Sequence, residues 1–484
     1  MKNNVLVIFV DELRTDALSM YGNKQVLTPE LDKLSSGGTV YSNHFCSCPI
    51  CTPSRFSMLS GLYATEHSVW ENKGTLKEVI DTYPKIMRRN GYKTVAIGKM
   101  HSSPTYLDVG FDKMLLSEQD GDGRFEDDYH EFLYEHCRAD TTDIIDQRAE
   151  YRMLAGGEYY TSFGCRVSNL EEPYHSTSWV TSNVIKELQQ WTGEGNFLFA
   201  SYIKPHHPFD PIERFVDLYA GRRMEILPGY TSEVPKFDYQ YDKGYFDNAT
   251  LSEDILQRMT LYYYANISHI DEGISEMIYI LKQKGLYDNT LIIFTSDHGD
   301  YMGFHHMALK QNHMYDPLMR IPLIIKRPGQ TESSCVMEFS DNTQLAHAIL
   351  SEIGLEDGLR MNHTDLDAKR EYLYGMYKHR LGDSEENAYM VRSERYKLLV
   401  TGNVDNYQLY DLFEDPYELM DVSKKQEFAD ILNKLFAHLF NQLCFSNPPM
   451  NYYNPKAAII SKSREAIAQQ SEKLGKYFAS SCGL

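Results

Sequence analysis

The 484-residue chain contains no apolar run that approaches the length of a membrane span. Its N-terminal apolar stretch, Val5 to Val10, stops at Asp11-Glu12. That is shorter than a secretory core, and no small-residue cleavage site follows it. Positive charge is scarce: 48 Lys and Arg stand against 68 Asp and Glu, a formal net charge of −20. Such a balance speaks against nucleic acid and against an anionic membrane surface as partners. The eight cysteines show no framework spacing, so reduced thiols are expected rather than a disulfide scaffold. There is no internal repeat. These absences lead to the expectation of a cytoplasmic protein that meets neither membrane nor nucleic acid.

What the chain does hold is a series of short, buried-type runs. Val5–Val10, Thr94–Gly98, Asn196–Ile203 and Asn289–Ser296 are apolar and rich in β-branched residues, as strands covered on both faces are. Helical stretches separate them. Residues 27–34 should start with Thr28 as cap and Pro29 in the first turn. Residues 76–90 should be kinked or split by Pro84. Residues 255–284 should end at Gly285. This alternation predicts an α/β fold with a large, mostly parallel, doubly wound sheet. After Pro328 the pattern changes to short strand-like segments at 370–374, 388–392, 396–400 and 408–412, then a helix over 424–443. The expected organisation is an α/β domain over 1–345 and a smaller C-terminal α+β subdomain over 346–445. A linker at 447–455 and a terminal helix at 456–478 would fill the stretch 446–484. Residues 112–192 read as a loop-rich insertion over one end of the sheet, outside any core.

Ligands of such sheets bind beyond the carboxyl ends of the strands. Asp11-Glu12, Lys99-x-His101, Lys204-Pro-His206 and Asp297-His298 each directly follow a predicted strand. Taken singly, a strand-end Asp is more often a turn former, a Lys a surface charge and a His a core or capping residue. Four strands delivering such groups to one edge is another matter. Asp11, Asp297 and His298 are of the types that hold a divalent cation. Carboxylates favour calcium or magnesium, and imidazole leaves manganese or zinc open.

The most informative stretch is Cys51-Thr-Pro-Ser-Arg-Phe-Ser-Met-Leu-Ser-Gly61. Pro53 suits the first turn of a helix, which puts Cys51 at a helix N-terminus, where an anion is favoured. Arg55 adds a permanent charge one turn on. Cys46-x-Cys48-x-x-Cys51 also admits zinc or redox readings, both minor. His44 sits too close in sequence for a usual zinc ligand, and no thioredoxin context surrounds the pair.

The stretch resembles the signature of the type I, formylglycine-dependent sulfatases of the alkaline-phosphatase-like superfamily. Cys51, Pro53, Ser54, Arg55, Leu59 and Gly61 fit it, and Ser60 stands where Thr is usual. Further segments resemble the family: Gly98-Lys-Met-His101, Lys204-Pro-His206 and Leu409-Tyr-Asp-Leu-Phe-Glu-Asp-Pro-Tyr-Glu418. The likeness covers roughly 1–105, 195–330 and 385–425.

The resemblance implies that a sulfatase-maturating enzyme converts Cys51 to formylglycine. It implies one divalent metal, calcium first with magnesium or manganese as alternatives, on Asp11, Cys51, Asp297 and His298. Glu12, in place of the usual Asp, would be a weaker ligand. One hydroxyl of the hydrated formylglycine would attack sulfur, with Arg55 and the metal assisting. Lys99 and Lys310 would stabilise the sulfuryl oxygens. His206 would protonate the leaving alcohol, and His101 would serve as base when sulfate is expelled. His207, His305, His306 and His313 are expected to be structural. The implied activity is hydrolysis of a small-molecule or oligosaccharide sulfate ester. A phosphonate or phosphate ester hydrolase of the same superfamily is the alternative, and a metal-dependent glycan-binding protein a more distant one. Association through the C-terminal tail is a further expectation.

Overall fold

Asn4–Asp11 (β1) is buried along its whole length. Leu6, Ile8 and Val10 point into one hydrophobic core, and Val5, Val7 and Phe9 into another on the opposite face. This is what a strand's period of two demands of a central strand with helices on both sides. The computed structural model describes the chain except residues 1, 120–123, 148, 236–237, 239–245, 311–312, 356–363, 382–383, 446–462 and 482–484. Around β1 the described strands are β2 (Thr39–Phe45), β3 (Lys93–Gly98), β4 (Lys113–Leu116), β5 (Asn196–Pro205), β6 (Thr290–Ser296), β7 (Leu323–Lys326) and β8 (Ser334–Asp341). They form one sheet in the order β4-β3-β5-β1-β6-β7-β2-β8. Only β7 runs against the others. The predicted α/β class with a mostly parallel sheet is the observed one.

The helices Ser176–Gln190 and Glu253–Gln283 supply one core, through residues such as Val180, Val184, Leu256 and Ile274. The helices Cys51–Ser60, Tyr83–Arg89 and Leu345–Glu352 supply the other, through Phe56, Leu59, Ile86 and Ile349. The second unit is an antiparallel sheet of β9 (Leu373–Leu381), β10 (Ser384–Arg392), β11 (Tyr396–Thr401) and β12 (Tyr407–Asp411), ordered β12-β11-β10-β9. Leu435 and Leu439 of the helix Ala429–Phe445 cover one face. The buried Lys397 ties the sheet to the first unit, pairing with Asp316 and with Glu418.

Several local expectations need correction. Thr28 stands at the N-cap of Pro29–Ser36, but its hydroxyl pairs with Ser19. Asp271, on the Glu253–Gln283 helix, caps instead by accepting the N–H groups of Glu30 and Leu31. The 76–90 helix is only Tyr83–Arg89. Pro84 sits in its first turn rather than kinking it, because a missing N–H costs nothing there. The 112–192 segment is not loop alone. It holds β4 and several helices, and Phe125, Tyr129, Leu133, Trp179 and Leu188 enter the core. Its polar, aromatic composition hid a period that tertiary packing supplies. The terminal helix is Arg464–Ser481, and Phe478 stacks on Phe125 with centroids 5.2 Å apart. The predicted linker 447–455 lies outside the described residues. Among the described residues no helix is long and apolar enough to cross a membrane.

At the end of β3 the backbone needs glycine. Gly98 has φ +103°, and a Cβ there would lie 1.8 Å from the Ser201 carbonyl oxygen of β5. Gly98→Ala is therefore expected to part these strands where Lys99 leaves the sheet. It should cost on the order of 3 kcal/mol and lower activity, read by thermal unfolding and turnover; unchanged stability would mean the close approach relaxes freely.

Candidate active site

Cys51 begins the helix Cys51–Ser60, with Pro53 in its first turn and Gly61, in the left-handed region at φ +71°, ending it. The helix is buried throughout. Its first turn is held by side chains from distant segments. Asn72 Oδ1 accepts the Thr52 N–H at 3.1 Å, and Asn342 Nδ2 donates to Ser54 Oγ at 2.8 Å. Ser54 Oγ donates to the Asp297 carbonyl at 2.6 Å. Arg55, 1 % exposed, reaches back under the nucleophile position. It pairs with Asp297 Oδ2 at 2.9 Å and Asp11 Oδ2 at 3.4 Å, and donates to the Lys99 carbonyl at 2.7 Å.

Asp11, Cys51, Asp297 and His298 come together with donor atoms all within 4.8 Å of one another, all buried. His298 Nδ1 lies 2.9 Å from the Gly299 carbonyl, which can only accept, so the ring proton sits there. Nε2 then presents a lone pair to Cys51 Sγ at 3.2 Å, Asp11 Oδ1 at 3.8 Å and Asp297 Oδ1 at 3.9 Å. Acceptors converging on acceptors call for a cation, and a backbone carbonyl on the far nitrogen is how a metal-binding His is held. The residues fit a divalent metal. Without one, a proton answers the same crowding: burial lowers His298, but Asp297 and the Cys51 sulfur together outweigh it and raise the imidazole to about 9.

The charges here are strongly coupled. Burial and then Asp11 push the Cys51 thiol up, but Lys310, Lys99 and His298 outweigh them and hold it well below the usual thiol range. Burial likewise opposes ionisation of Asp11, and Lys99, at 2.5 Å, leads the cations that overcome it. Lys310 Nζ donates to Cys51 Sγ at 3.2 Å and to Glu12 Oε2 at 3.1 Å. In a chain of net charge −20, three cationic side chains thus surround one sulfur, which occupies the place of the oxygen carried by the same Cβ in formylglycine.

Glu12 departs from the expected arrangement. Its N–H joins the metal-type group by donating to Asp297 Oδ1 at 3.0 Å. Its carboxylate instead belongs to a second buried group with His206 and His207. Glu12 Oε2 is 3.1 Å from His206 Nε2 and 3.8 Å from His207 Nδ1. The backbone at Glu12 has φ +60°, and Tyr263 OH donates to its carbonyl at 2.6 Å, which turns the side chain toward these two imidazoles. His207 therefore stands in the site rather than outside it. Asp146, from the 112–192 segment, meets its Nε2 at 3.1 Å. Burial lowers His207, but Asp146, with help from Glu12, lifts it to about 9. Lys204 is turned away, pairing with Asp210 and donating to the Pro208 carbonyl. His305 and His306 hold loops: His305 bridges Asp238 and the Tyr417 carbonyl, and His306 Nδ1 meets the Thr231 carbonyl at 2.8 Å. His313 Nε2 lies 3.2 Å from Asp238.

His101 has φ +52°, and its carbonyl accepts from Thr52 Oγ1 at 2.7 Å, which brings the Lys99–His101 loop against the start of the Cys51 helix. Its N–H is held by Glu118 at 3.0 Å. Asn72, Glu118, Gln119, Asp146 and Asn342 are the contributors that sequence reasoning missed. Glu118 and Gln119 follow the short apolar run Met114-Leu-Leu116, the one signal that a strand ends there.

A mostly parallel sheet whose carboxyl edge gathers two carboxylates, an imidazole and a Cys at the first position of a helix defines an alkaline-phosphatase-like hydrolase with a metal-associated, formylglycine-type centre. The sulfatase family model matches residues 3–355, so the chain belongs to the sulfatase family. A second model, the C-terminal region of N-sulphoglucosamine sulphohydrolase, matches residues 304–443. The chain is 28 % identical to an arylsulfatase of Clostridium perfringens, over 92 % of this chain and 95 % of that one. It is 26 % identical to an N-acetylglucosamine-6-O-sulfatase of Bacteroides thetaiotaomicron, over 88 % and 83 %. Its fold matches the phosphonate monoester hydrolase of Agrobacterium radiobacter with a TM-score of 0.74 at 21 % identity, covering 91 % of this chain and 95 % of that one.

Proposed function

We propose that the protein hydrolyses a carbohydrate sulfate ester, using formylglycine made from Cys51 by a sulfatase-maturating enzyme and one divalent metal on Asp11, Asp297 and His298. The observation that carries this reading is the position of Cys51 Sγ. It lies at a helix N-terminus, 3.2 Å from His298 Nε2 and 3.2 Å from Lys310 Nζ. Formylglycine would supply a nucleophilic hydroxyl at this Cβ, and the metal positive charge beside it. Calcium, magnesium and manganese all suit two carboxylates and an imidazole to some degree, and elemental analysis of active protein decides among them.

The chain's own residues then divide the work. Arg55 holds both carboxylates in register beneath residue 51. Lys310 and Lys99 would place positive charge where negative charge builds on the sulfuryl oxygens in the transition state. His206 is the acid for the leaving alcohol. Its Nδ1 lies 2.6 Å from the His207 carbonyl and must donate to it, so Nε2 is the atom that faces Glu12 and the substrate side. Burial lowers the pKa of this imidazole while Glu12, 3.1 Å from Nε2, opposes the shift, and the proton given to the leaving alcohol would be the one on Nε2. His101 is the base for the closing step.

The acid and the charge-binding groups separate experimentally. An acid matters when the leaving alcohol is basic, as a sugar hydroxyl is, and little for an acidic phenol. His206→Ala should lower kcat/KM on a sugar sulfate by roughly a hundredfold to ten-thousandfold and spare a nitrophenyl sulfate. Lys310→Ala should impair both. Equal losses on the two substrates in His206→Ala would make His206 a sulfate-binding group instead.

The alternative, a phosphonate or phosphate ester hydrolase, draws support from the fold's likeness to a phosphonate monoester hydrolase. The names of the two sulfatases similar over nearly the whole chain favour sulfate. Rates on matched sulfate and phosphonate esters, measured side by side, decide between them.

A further inference from the structure

β4 is only four residues long and pairs with β3 so that Leu116 lies opposite Gly98. The chain therefore leaves the sheet at Ser117-Glu118-Gln119 on the same edge, and beside the same turn, as Lys99-Met-His101. Both side chains of this Glu-Gln pair are buried, at 2 % and 0 % exposure. Glu118 turns toward His101. Its Oε1 accepts the N–H of Met100 at 3.0 Å, and its two oxygens share the N–H of His101, each at 3.0 Å. A non-glycine residue at φ +52° costs on the order of 1–3 kcal/mol. A carboxylate across two successive N–H groups is what holds the backbone of His101 in that conformation. Glu118 is itself anchored, its N–H donating to Asp127 Oδ2 at 2.7 Å, and Gln470 of the terminal helix donates to the Asp127 carbonyl.

Gln119 turns the other way. Its Nε2 donates to the His207 carbonyl at 2.8 Å and to Asp143 Oδ1 at 3.0 Å. The His207 carbonyl is also the acceptor for His206 Nδ1. The oxygen that fixes the ring and tautomer of His206 is thus itself fixed by Gln119. The donor must be an amide, since a carboxylate at 119 would meet two acceptors.

We propose that Glu118-Gln119 is the positioning element of the site: Glu118 sets the base, His101, and Gln119 sets the acid, His206. Neither residue touches reacting atoms. The inference rests on the roles proposed above for the two histidines.

The test compares Gln119→Leu, Gln119→Glu, Glu118→Gln, His206→Ala and the Gln119→Leu/His206→Ala double variant on a sugar sulfate and a nitrophenyl sulfate. Metal content and thermal unfolding are recorded for each. Gln119→Leu should lose roughly tenfold to a hundredfold in kcat on the sugar sulfate, with little change in KM, metal content or nitrophenyl sulfate turnover. The loss should vanish in the His206→Ala background. Gln119→Glu, nearly the same size, should repeat the pattern should the Leu variant not fold. Glu118→Gln should release a burst of nitrophenol equal to the enzyme present, then turn over slowly, because the base acts after the alcohol has left.

A leaving-group split in His206→Ala without one in either Gln119 variant overturns the proposal for Gln119, as does a Gln119 loss that persists in the double variant. Slow turnover without a burst, or unimpaired turnover, in Glu118→Gln overturns its half. Equal losses on both substrates in His206→Ala itself instead make His206 a sulfate-binding group, so the acid role proposed above fails and the Gln119 assignment falls with it.

Discussion

Protein produced without a sulfatase-maturating enzyme is expected to keep the thiol at Cys51 and to be nearly inert. The reason is chemical. A thiol can attack, but once sulfated it has no second hydroxyl on the same carbon with which to expel sulfate. The surroundings do not compensate. Lys310 lies 3.2 Å away and His298 Nε2 likewise 3.2 Å away, so they favour an anion at this atom but cannot complete a turnover. Co-production with a maturating enzyme should restore turnover, and Cys51→Ala should abolish it under either condition. Loss of a nucleophile is felt on a scale of roughly 10⁴-fold or more. The measurement is mass spectrometry of the peptide containing residue 51 alongside the rate. Full activity from protein whose residue 51 is wholly unmodified Cys would remove formylglycine from the mechanism.

Asp297→Ala is the second change expected to be severe. Asp297 does four things at once. Oδ1 accepts the N–H groups of Glu12 and His298, each at 3.0 Å. Oδ2 pairs with Arg55 at 2.9 Å. Its carboxylate belongs to the four-donor group that fits a metal. Removing it takes away a ligand and loosens His298, the neighbouring one. It also leaves Arg55 buried with only the longer 3.4 Å pairing to Asp11. Leaving a buried charge short of its partner costs about 3–5 kcal/mol, so part of the effect should appear as a lower melting temperature. Metal should be lost, and activity should fall by roughly a thousandfold or more. Asp11→Ala should lose metal too. Undiminished metal stoichiometry in both variants, by elemental analysis, would show that these carboxylates do not hold the ion.

Both expected results draw on features that are legible in the chain itself, because they are local. A Cys two residues before a first-turn Pro, with Arg one turn on, describes a helix N-terminus whatever the rest of the chain does. Val5–Val10 and Asn289–Ser296 are apolar enough to be interior strands in any context. A parallel sheet then obliges the residues at their carboxyl ends, Asp11 and Asp297-His298, to share one edge.

Which atom faces which could be decided only by the tertiary structure. Glu12 N–H meets Asp297 across 285 residues of sequence, and Gln119 meets His207 across 88. No short-range pattern encodes such pairs. Glu12 sits beside Asp11 in sequence, yet a left-handed backbone, the imidazoles of His206 and His207 and the ammonium of Lys310 take its carboxylate into a second group. His207 looked like a bystander because its partner, Asp146, comes from a segment whose composition resembles loop. The same holds for Glu118 and Gln119 after the four residues of β4, too short a strand to announce itself. Sequence by itself determined the kinds of groups and the edge they reach, since these derive from hydrophobic runs and helix starts. Orientation and pairing came from the fold alone, because a buried charge settles where distant partners place their donors and acceptors.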